Sequence, residues 1–255
     1  MFVALHGELV PHSWRDPESE HDAYQLFHQR SVAMGWLDER SSAAEDERAA
    51  NAPGLWAMNS ADVSTHPAAT EPFARFQVEC STPVGDRPLP VQPFLRCAED
   101  TTARIGTAQL SAVQVLLPLQ GLDPASRPSN APVPALETCD WFSACDPRAR
   151  VPVEIGVNSG SNPSISSVAR QLHHDLGHLP QDVFQYGEMA SVGKDIMPPP
   201  FADDFWNGPP RHGITLRGDL AAWSCDAVGW LAATIADCAA HLGVRTPLLL
   251  SVVRA

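Results

Sequence analysis

Residues 151–157 read VPVEIGV, and this stretch decides the fold of the second half of the chain. Its valines and its isoleucine occupy every second position, and a period of two is typical of a β-strand with one buried face. Proline cannot donate a hydrogen bond within a sheet, so Pro152 predicts either an edge strand or the start of a strand. The stretch therefore predicts a unit built around a sheet.

The elements that follow this strand continue to the end of the chain. They are a helix that ends near residue 178, a short strand at 183–186, a strand at 214–220, a helix at 224–242 and a buried strand at 248–253. Pro180 ends the first helix, while Ser224 and Gly243 are typical of the start and the end of the second. The order β-α-β-β-α-β is that of a ferredoxin-like unit. We therefore predict an α+β fold with a ferredoxin-like unit over residues 139–255.

The first half of the chain predicts another α+β unit over residues 1–117. Its elements are a strand at 2–10, a helix at 20–37, a half-buried strand at 74–80 and a strand at 105–117. Residues 118–138 contain five prolines, which exclude a central strand or a helix interior, so we interpret them as a linker. The first unit is either related to the second or a decorated variant of it. Two such sheets packed on each other would leave a cleft at their junction, where ligand sites commonly occur.

Composition and charge exclude several classes of protein. The chain has 255 residues, of which 44% are hydrophobic, so it can form a globular core. Its 17 basic and 30 acidic residues give a net charge of −13, which disfavours binding to nucleic acid or to an anionic membrane. The apolar runs fall short of the ~20 residues that span a bilayer, and the N-terminus lacks the pattern of a signal peptide. We expect a soluble cytoplasmic protein.

The cysteines and the basic residues add two further expectations. None of the six cysteines forms a CxxC pair, which argues against a zinc ribbon and favours reduced thiols. Lys194 is the only lysine and all other basic residues are arginines, a bias that is typical of GC-rich bacterial genomes. We therefore expect a bacterial protein.

Residues 172–178, LHHDLGH, carry the strongest chemical signal. His174 and His178 are four residues apart on a predicted helix, so both imidazoles lie on one face with the ligand spacing of helical zinc sites. Asp175 takes the place of the glutamate base in the HExxH motif of zincins, which this pentapeptide resembles with a shorter carboxylate. The pattern predicts a divalent metal such as zinc as cofactor, with His174 and His178 as ligands and Asp175 as base.

The rest of such a site would have to come from elsewhere in the chain. His212 and Asp219 are candidates for a third ligand, while His173 and His212 are candidates for further catalytic groups. The alternative is structural, because histidines in the last turn of a helix bond to its open carbonyl groups and interact favourably with its dipole. Both interpretations stay open at this point.

Cys225 is a further candidate for catalysis. It follows Ser224, the predicted helix cap, and the backbone N–H groups of a first turn lower the pKa of a thiol. A histidine such as His174 or His212 could complete a Cys–His pair. Against this, Asp226 opposes formation of a thiolate, and most free cysteines are small buried side chains.

Two loops are also candidates for binding. Residues 198–210 carry Phe201, Phe205 and Trp206 among prolines, so they are either a lid or substrate-binding loop, or a segment pinned to the core by its aromatic side chains. Residues 159–162, SGSN, precede a helix and could bind an anion through backbone N–H groups, although most such loops are only turns.

Two classes of function are consistent with these patterns. The first is a bacterial enzyme that acts on a small molecule, as a metal-assisted hydrolase or lyase of a specialised pathway. Its site would combine the histidine cluster with the loop at 198–210. The second is a non-catalytic acidic binding protein, such as an inhibitor, immunity or accessory factor, whose charge steers it to a basic protein partner.

Overall fold

The computed structural model describes residues 1–16, 22–38, 54–68, 70–80, 88–122, 140–192 and 196–255. Most of the predicted linker, residues 123–138, lies outside these ranges, as do Cys139 and Lys194.

Eight antiparallel strands form one continuous sheet. In chain order the strands are β1 (Phe2–Pro11), β2 (Trp56–Val63), β3 (Ala74–Cys80), β4 (Gly106–Leu117), β5 (Val151–Asn158), β6 (Phe184–Val192), β7 (Gly213–Leu220) and β8 (Leu248–Arg254). Their order across the sheet is β2-β3-β1-β4-β8-β5-β7-β6. With helices packed on this antiparallel sheet, the protein belongs to the α+β class.

The helices of the described residues pack on one face of the sheet. They are α1 (Ala23–Ala33), α2 (Val91–Ile105), α3 (Asp140–Ser143), α4 (Ser164–Ser167), α5 (Ala169–Leu176) and α6 (Cys225–His241). The longer helices form a row in the order α1-α2-α6-α5. None of the helices in these described ranges is long and apolar enough to cross a membrane.

The two halves of the chain meet edge to edge within this sheet. The first half supplies β2-β3-β1-β4 and the second supplies β8-β5-β7-β6. Strands β4 and β8 pair along their length, with Val113 opposite Val252 and Val115 opposite Leu250. The expectation of two stacked sheets with a cleft between them is therefore wrong. Pairing of β4 with β8 satisfies backbone groups that would otherwise be exposed at two sheet edges.

The stretch VPVEIGV forms most of β5, which lies in the interior of the sheet between β8 and β7. Pro152 is the second residue of the strand, so its interpretation as a strand start is confirmed and its interpretation as an edge strand is wrong. The carbonyl group of Pro152 accepts a hydrogen bond from the backbone N–H of Ala255. A proline at this position leaves the later hydrogen bonds of the strand intact.

Helices α2 and α6 join the two halves in the helical layer. Arg96 of α2 forms an ion pair with Asp226 of α6 at 2.8 Å, and Gln92 donates a hydrogen bond to the same carboxylate at 3.2 Å. A Cβ atom on Gly229 would lie 2.6 Å from the Cα atom of Gln92, so glycine permits this close approach. Since α6 is buried from Cys225 to Ala240, it is the central helix of the core.

The face of the sheet that points away from the helices carries a polar row. Val3 and Phe76 point into the helix-covered core, so the alternate residues of their strands point to the other face. Cross-strand pairing places six residues side by side on that face, namely Arg75, Ala4, Gln114, Ser251, Gly156 and Thr215. Residues 196–206, which we call the strap, lie across the middle of this row.

Candidate functional site

The predicted histidine cluster lies at the end of α5, where His173, His174 and His178 are exposed. The ring centroids of His174 and His178 are 4.3 Å apart. Nδ1 of His178 donates a hydrogen bond to the backbone carbonyl of His174 at 2.7 Å, which is the bond expected of a histidine at a helix end. Nδ1 of His173 lies 2.7 Å from the hydroxyl group of Tyr186. Each of these bonds has a structural role at the end of the helix.

Within the described residues the histidine pair gains no third metal ligand. His212 precedes β7 and Asp219 lies near its other end, so at ~3.3 Å per residue they are about 20 Å apart along the strand. Asp175 is half-buried and lines an open hollow of about 730 Å³ together with His174. Protein zinc sites have three or four protein ligands. The zinc site at His174 and His178 therefore stays a prediction.

Cys225 lies in the first turn of α6, but its side chain is fully buried. Burial raises the pKa of the Cys225 thiol well above its ordinary value, and the carboxylates of Glu99, Asp226 and Asp100 raise it further. The expected lowering of this pKa by the helix N-terminus is wrong, because desolvation and three negative charges oppose the thiolate. A substrate would also have no access to the sulfur atom.

The SGSN loop at 159–162 uses its backbone N–H groups within the protein. The N–H of Gly160 donates to the side-chain oxygen of Asn158 at 2.7 Å, and the N–H of Ser161 donates to the carbonyl group of Asn207 at 2.6 Å. An anion would have to displace these bonds. The geometry is that of a turn.

Aromatic side chains attach the strap to the sheet. Phe201 and Phe205 pack edge to face against Phe2 of β1, with ring centroids 5.2 Å and 5.7 Å from it. Trp206 packs against Phe201 with a centroid distance of 6.0 Å. The pinned loop is thus present, and of the three aromatic residues Phe201 also lines the groove described below.

Beneath the strap, polar side chains of the central strands form a hydrogen-bonded chain. Nε2 of His6 bonds to Oε1 of Gln114 at 2.9 Å, while Nε2 of Gln114 donates to Ser251 Oγ and to the carbonyl group of Pro198, each at 3.0 Å. A carbonyl oxygen can only accept, so this contact fixes the orientation of the Gln114 amide. Nε2 of His6 therefore carries the hydrogen, and Nδ1 is the basic nitrogen of the neutral ring.

His6 is a buried histidine that stays neutral at pH 7. Burial lowers its pKa, the hydrogen bond to Gln114 raises it in part, and the positive charge of Arg75 lowers it again. Nδ1 of His6 has no hydrogen-bond partner in the part of the chain that the structure describes. This nitrogen can accept a hydrogen bond or a proton from a bound molecule.

A bulge in β1 follows His6 directly. The pairing of β1 with β4 shifts between His6 and Gly7, and Gly7 has a φ of +134°, which side-chain-bearing residues rarely adopt. A Cβ atom on Gly7 would also clash with the carbonyl group of Gln109. Bulges occur next to active sites because they redirect side chains.

His6 lines a groove of about 690 Å³ between the strap and residues 67–72, the connection between β2 and β3. Its apolar wall contains Met197, Phe201 and several prolines. Its polar groups belong to His6, Arg75, Glu71, Thr70 and Ser111. Mainly apolar walls with a few polar groups, at this volume, are typical of small-molecule sites.

Sequence reasoning missed this groove, although two signals pointed to it. His6 occupies an apolar position of the β1 sequence, and Gln114 interrupts the apolar run at 113–117. Each residue alone looks like an ordinary polar substitution in a strand. Only the register of β1 against β4, with Ala4 opposite Gln114, shows that the two side chains are neighbours.

The chain matches no protein-family model, no curated protein and no solved structure. Its function must therefore be inferred from the chemistry of the groove.

Proposed function

We propose that the protein is an enzyme that acts on a small molecule in the groove between the strap and residues 67–72. The observation that carries this proposal is Nδ1 of His6, the open nitrogen of a buried neutral imidazole in a groove of ligand size. Histidine is the most frequent general base in enzymes, because it accepts a proton near neutral pH. In the proposed step a proton passes from the substrate, or from a water molecule beside it, to Nδ1 of His6. Hydrolases and lyases both use such a step.

Gln114 is the proposed positioning residue. Its Oε1 accepts the hydrogen of His6 Nε2, which holds the ring in one tautomer and one orientation. The same bond favours the imidazolium ion that forms when Nδ1 takes up a proton, because it raises the pKa of His6. The bond from Gln114 to Pro198 also connects the position of the ring to the strap.

We also propose that each half of the chain is a ferredoxin-like unit and that the two units are related. In both halves the first strand lies between the third and the fourth, and helices follow the first and third strands. Under this relation Gln114 of β4 corresponds to Ser251 of β8, with which it pairs. His6 corresponds to Asn158, so the imidazole would be specific to the first half.

A non-catalytic acidic binding protein is the second candidate function. The observation that favours it is the net charge of −13, which would steer association with a basic protein partner. This candidate does not use the His6 nitrogen or the groove. The two functions therefore respond differently to variants in the groove.

The test measures turnover by the full chain. Wild-type protein is incubated with a mixed library of water-soluble metabolites, and time-dependent loss of any compound is followed by mass spectrometry. We expect His6→Asn to slow turnover by about 100-fold or more, the range for loss of a general base. Ser111→Trp, which places a large ring in the groove, should abolish turnover.

Two results would contradict the proposal. Turnover that survives both groove variants but is lost in His174→Ala would return the site to the histidine cluster. Absence of turnover together with salt-sensitive, stoichiometric binding of a basic protein would favour the second candidate. Far-UV circular dichroism shows whether each variant is folded.

A further inference from the structure

Arg75 of β3 lines the groove without a counter-charge. Its half-buried guanidinium has no ion pair and no hydrogen bond among the residues that the structure describes. Arg217 lies on the same face of β7, the corresponding strand of the second half, and bonds to Glu154 at 3.2 Å and to Glu188 at 3.4 Å. The contrast between these two arginines indicates that Arg75 is left open for a ligand.

Arg75 and His6 are within reach of one small molecule. Ala4 of β1 lies directly opposite Arg75, and His6 is two residues further along the same face. Diagonal neighbours on adjacent strands are about 7–8 Å apart, a distance that a long side chain shortens. The charge of Arg75 is close enough to lower the pKa of His6. The groove thus presents a forked donor and an acceptor side by side.

We propose that the ligand of this groove is an organic monocarboxylate with a hydroxyl or amine group on the neighbouring carbon. This inference rests on the groove being the functional site. The guanidinium of Arg75 binds the carboxylate through two parallel hydrogen bonds, a geometry that arginine and carboxylate share. Nδ1 of His6 accepts the hydrogen of the hydroxyl or amine group. Met197 and Phe201 contact the apolar part of the ligand.

The charges around the groove favour one negative charge on the ligand. Arg75 neutralises one charge, and the neutral ring of His6 adds no second positive charge. The carboxylate of Glu71 lines the same groove and would repel the second charge of a phosphate dianion. A carboxylate therefore fits these groups better than a phosphate ester.

Three related probes test this inference on the full chain. Mandelate has a carboxylate, a hydroxyl group on the neighbouring carbon and an apolar ring; phenylacetate lacks the hydroxyl group, and mandelamide lacks the charge. Affinities are measured at pH 7 by NMR titration. We expect mandelate to bind best and phenylacetate to bind about five- to tenfold more weakly, as for loss of one hydrogen bond. Mandelamide should bind at least ~10-fold more weakly, as for loss of a charge-assisted pair.

Arginine variants identify the group that binds the carboxylate. Arg75→Gln should weaken mandelate binding at least ~10-fold, and Arg75→Lys should recover part of that loss because it keeps the charge without the fork. Arg217→Gln removes the same charge from the same face and should leave the affinity unchanged. Higher salt should weaken the binding of mandelate but not of mandelamide.

The outcomes separate this inference from the proposed function. Equal binding of mandelate and mandelamide, or unchanged binding in Arg75→Gln, would overturn the carboxylate assignment. So would failure of all three probes to bind, or tighter binding of phenyl phosphate through Arg75. In each of these cases the groove is still judged by the turnover experiment. Mandelate binding that survives Ser111→Trp would contradict the groove itself, and with it both proposals.

Discussion

Burial of the His6 imidazole couples the stability of the protein to pH. In the unfolded chain this side chain titrates near 6.5, whereas in the folded protein its pKa is lower. Between these two values the unfolded state binds more protons, so acidification favours unfolding. The contribution of His6 to stability is therefore complete above about pH 6.5 and is lost as the pH falls toward the lowered value.

We predict that His6→Gln makes the free energy of unfolding less dependent on pH below about 6.5, the ordinary pKa of histidine. One titrating group changes stability by at most about 1.4 kcal/mol per pH unit, so the wild type should lose up to that amount more than the variant. Urea unfolding at several pH values measures the difference. The same pH dependence in both proteins would mean that His6 is not held neutral in the fold.

Single residues also show the limits of sequence rules about local position. The position of Cys225 in a helix first turn was predictable, and so was the placement of His178 at a helix end. The pKa of Cys225 was not, because it depends on carboxylates contributed by another helix, Glu99 and Asp100 of α2. A local rule gives the position of a side chain along the chain, whereas its chemistry depends on groups that are distant in sequence.

At the scale of elements, β-bulges explain why two strands were difficult to predict. β6 was expected at 183–186 but extends over Phe184–Val192, with register shifts between Tyr186 and Glu188 and between Met189 and Ser191. β2 was not predicted at all, and it has a shift between Met58 and Ser60. A bulge adds a residue and so breaks the period of two on which the prediction rests.

Helix α2 was also missed by the sequence patterns. Its sequence contains Pro93 and the pair Thr101–Thr102, residues that disfavour a helix in isolation. Pro93 lies in the first turn, where the missing N–H has no partner to lose. The threonines are buried and bond to carbonyl groups of the preceding turn. Packing against α6 stabilises a helix that its own propensities do not predict.

The close packing of α2 on α6 predicts an unusual response to alanine. Alanine normally stabilises a helix by about 1 kcal/mol relative to glycine. At Gly229 the added Cβ would meet the backbone of Gln92, and such overpacking costs about 1–3 kcal/mol. We therefore expect Gly229→Ala to lower the free energy of unfolding in urea.

Gly177 provides the matched control for this variant. It ends α5 with ordinary helical backbone angles, and a Cβ there would make its nearest contact at 3.4 Å. Gly177→Ala should leave stability unchanged or raise it. Equal effects of the two substitutions would show that the helices do not approach each other at Gly229.

At the scale of the whole molecule, the α+β class followed from the sequence, but the joining of the halves did not. The two units were expected as separate sheets, and residues 1–117 and 139–255 were expected as separate domains. The central strand pair β4–β8 and the helix pair α2–α6 each contain one member from either half. Strand patterns show which residues face a core, but they do not show which strand edges meet.

We predict that the two halves unfold in one cooperative transition, because breaking either central pair exposes core of both. Met58 in β2 and Met189 in β6 lie on the two outermost strands of the sheet. Their ¹³C-labelled methyl signals should disappear at the same urea concentration. Two separate midpoints would instead support the division into independent domains.

Methionine methyl groups also give the most direct test of the central claim, which is that the groove beneath the strap is the functional site. Met197 lines this groove, whereas Met189 lines the hollow beside His174 and Asp175. The two signals of the labelled protein, assigned with Met→Leu variants, are followed during titration with any compound that the protein turns over or binds. The account predicts a saturable shift of the Met197 methyl signal with Met189 unchanged. A shift of Met189 alone would contradict it and place the site at the histidine cluster.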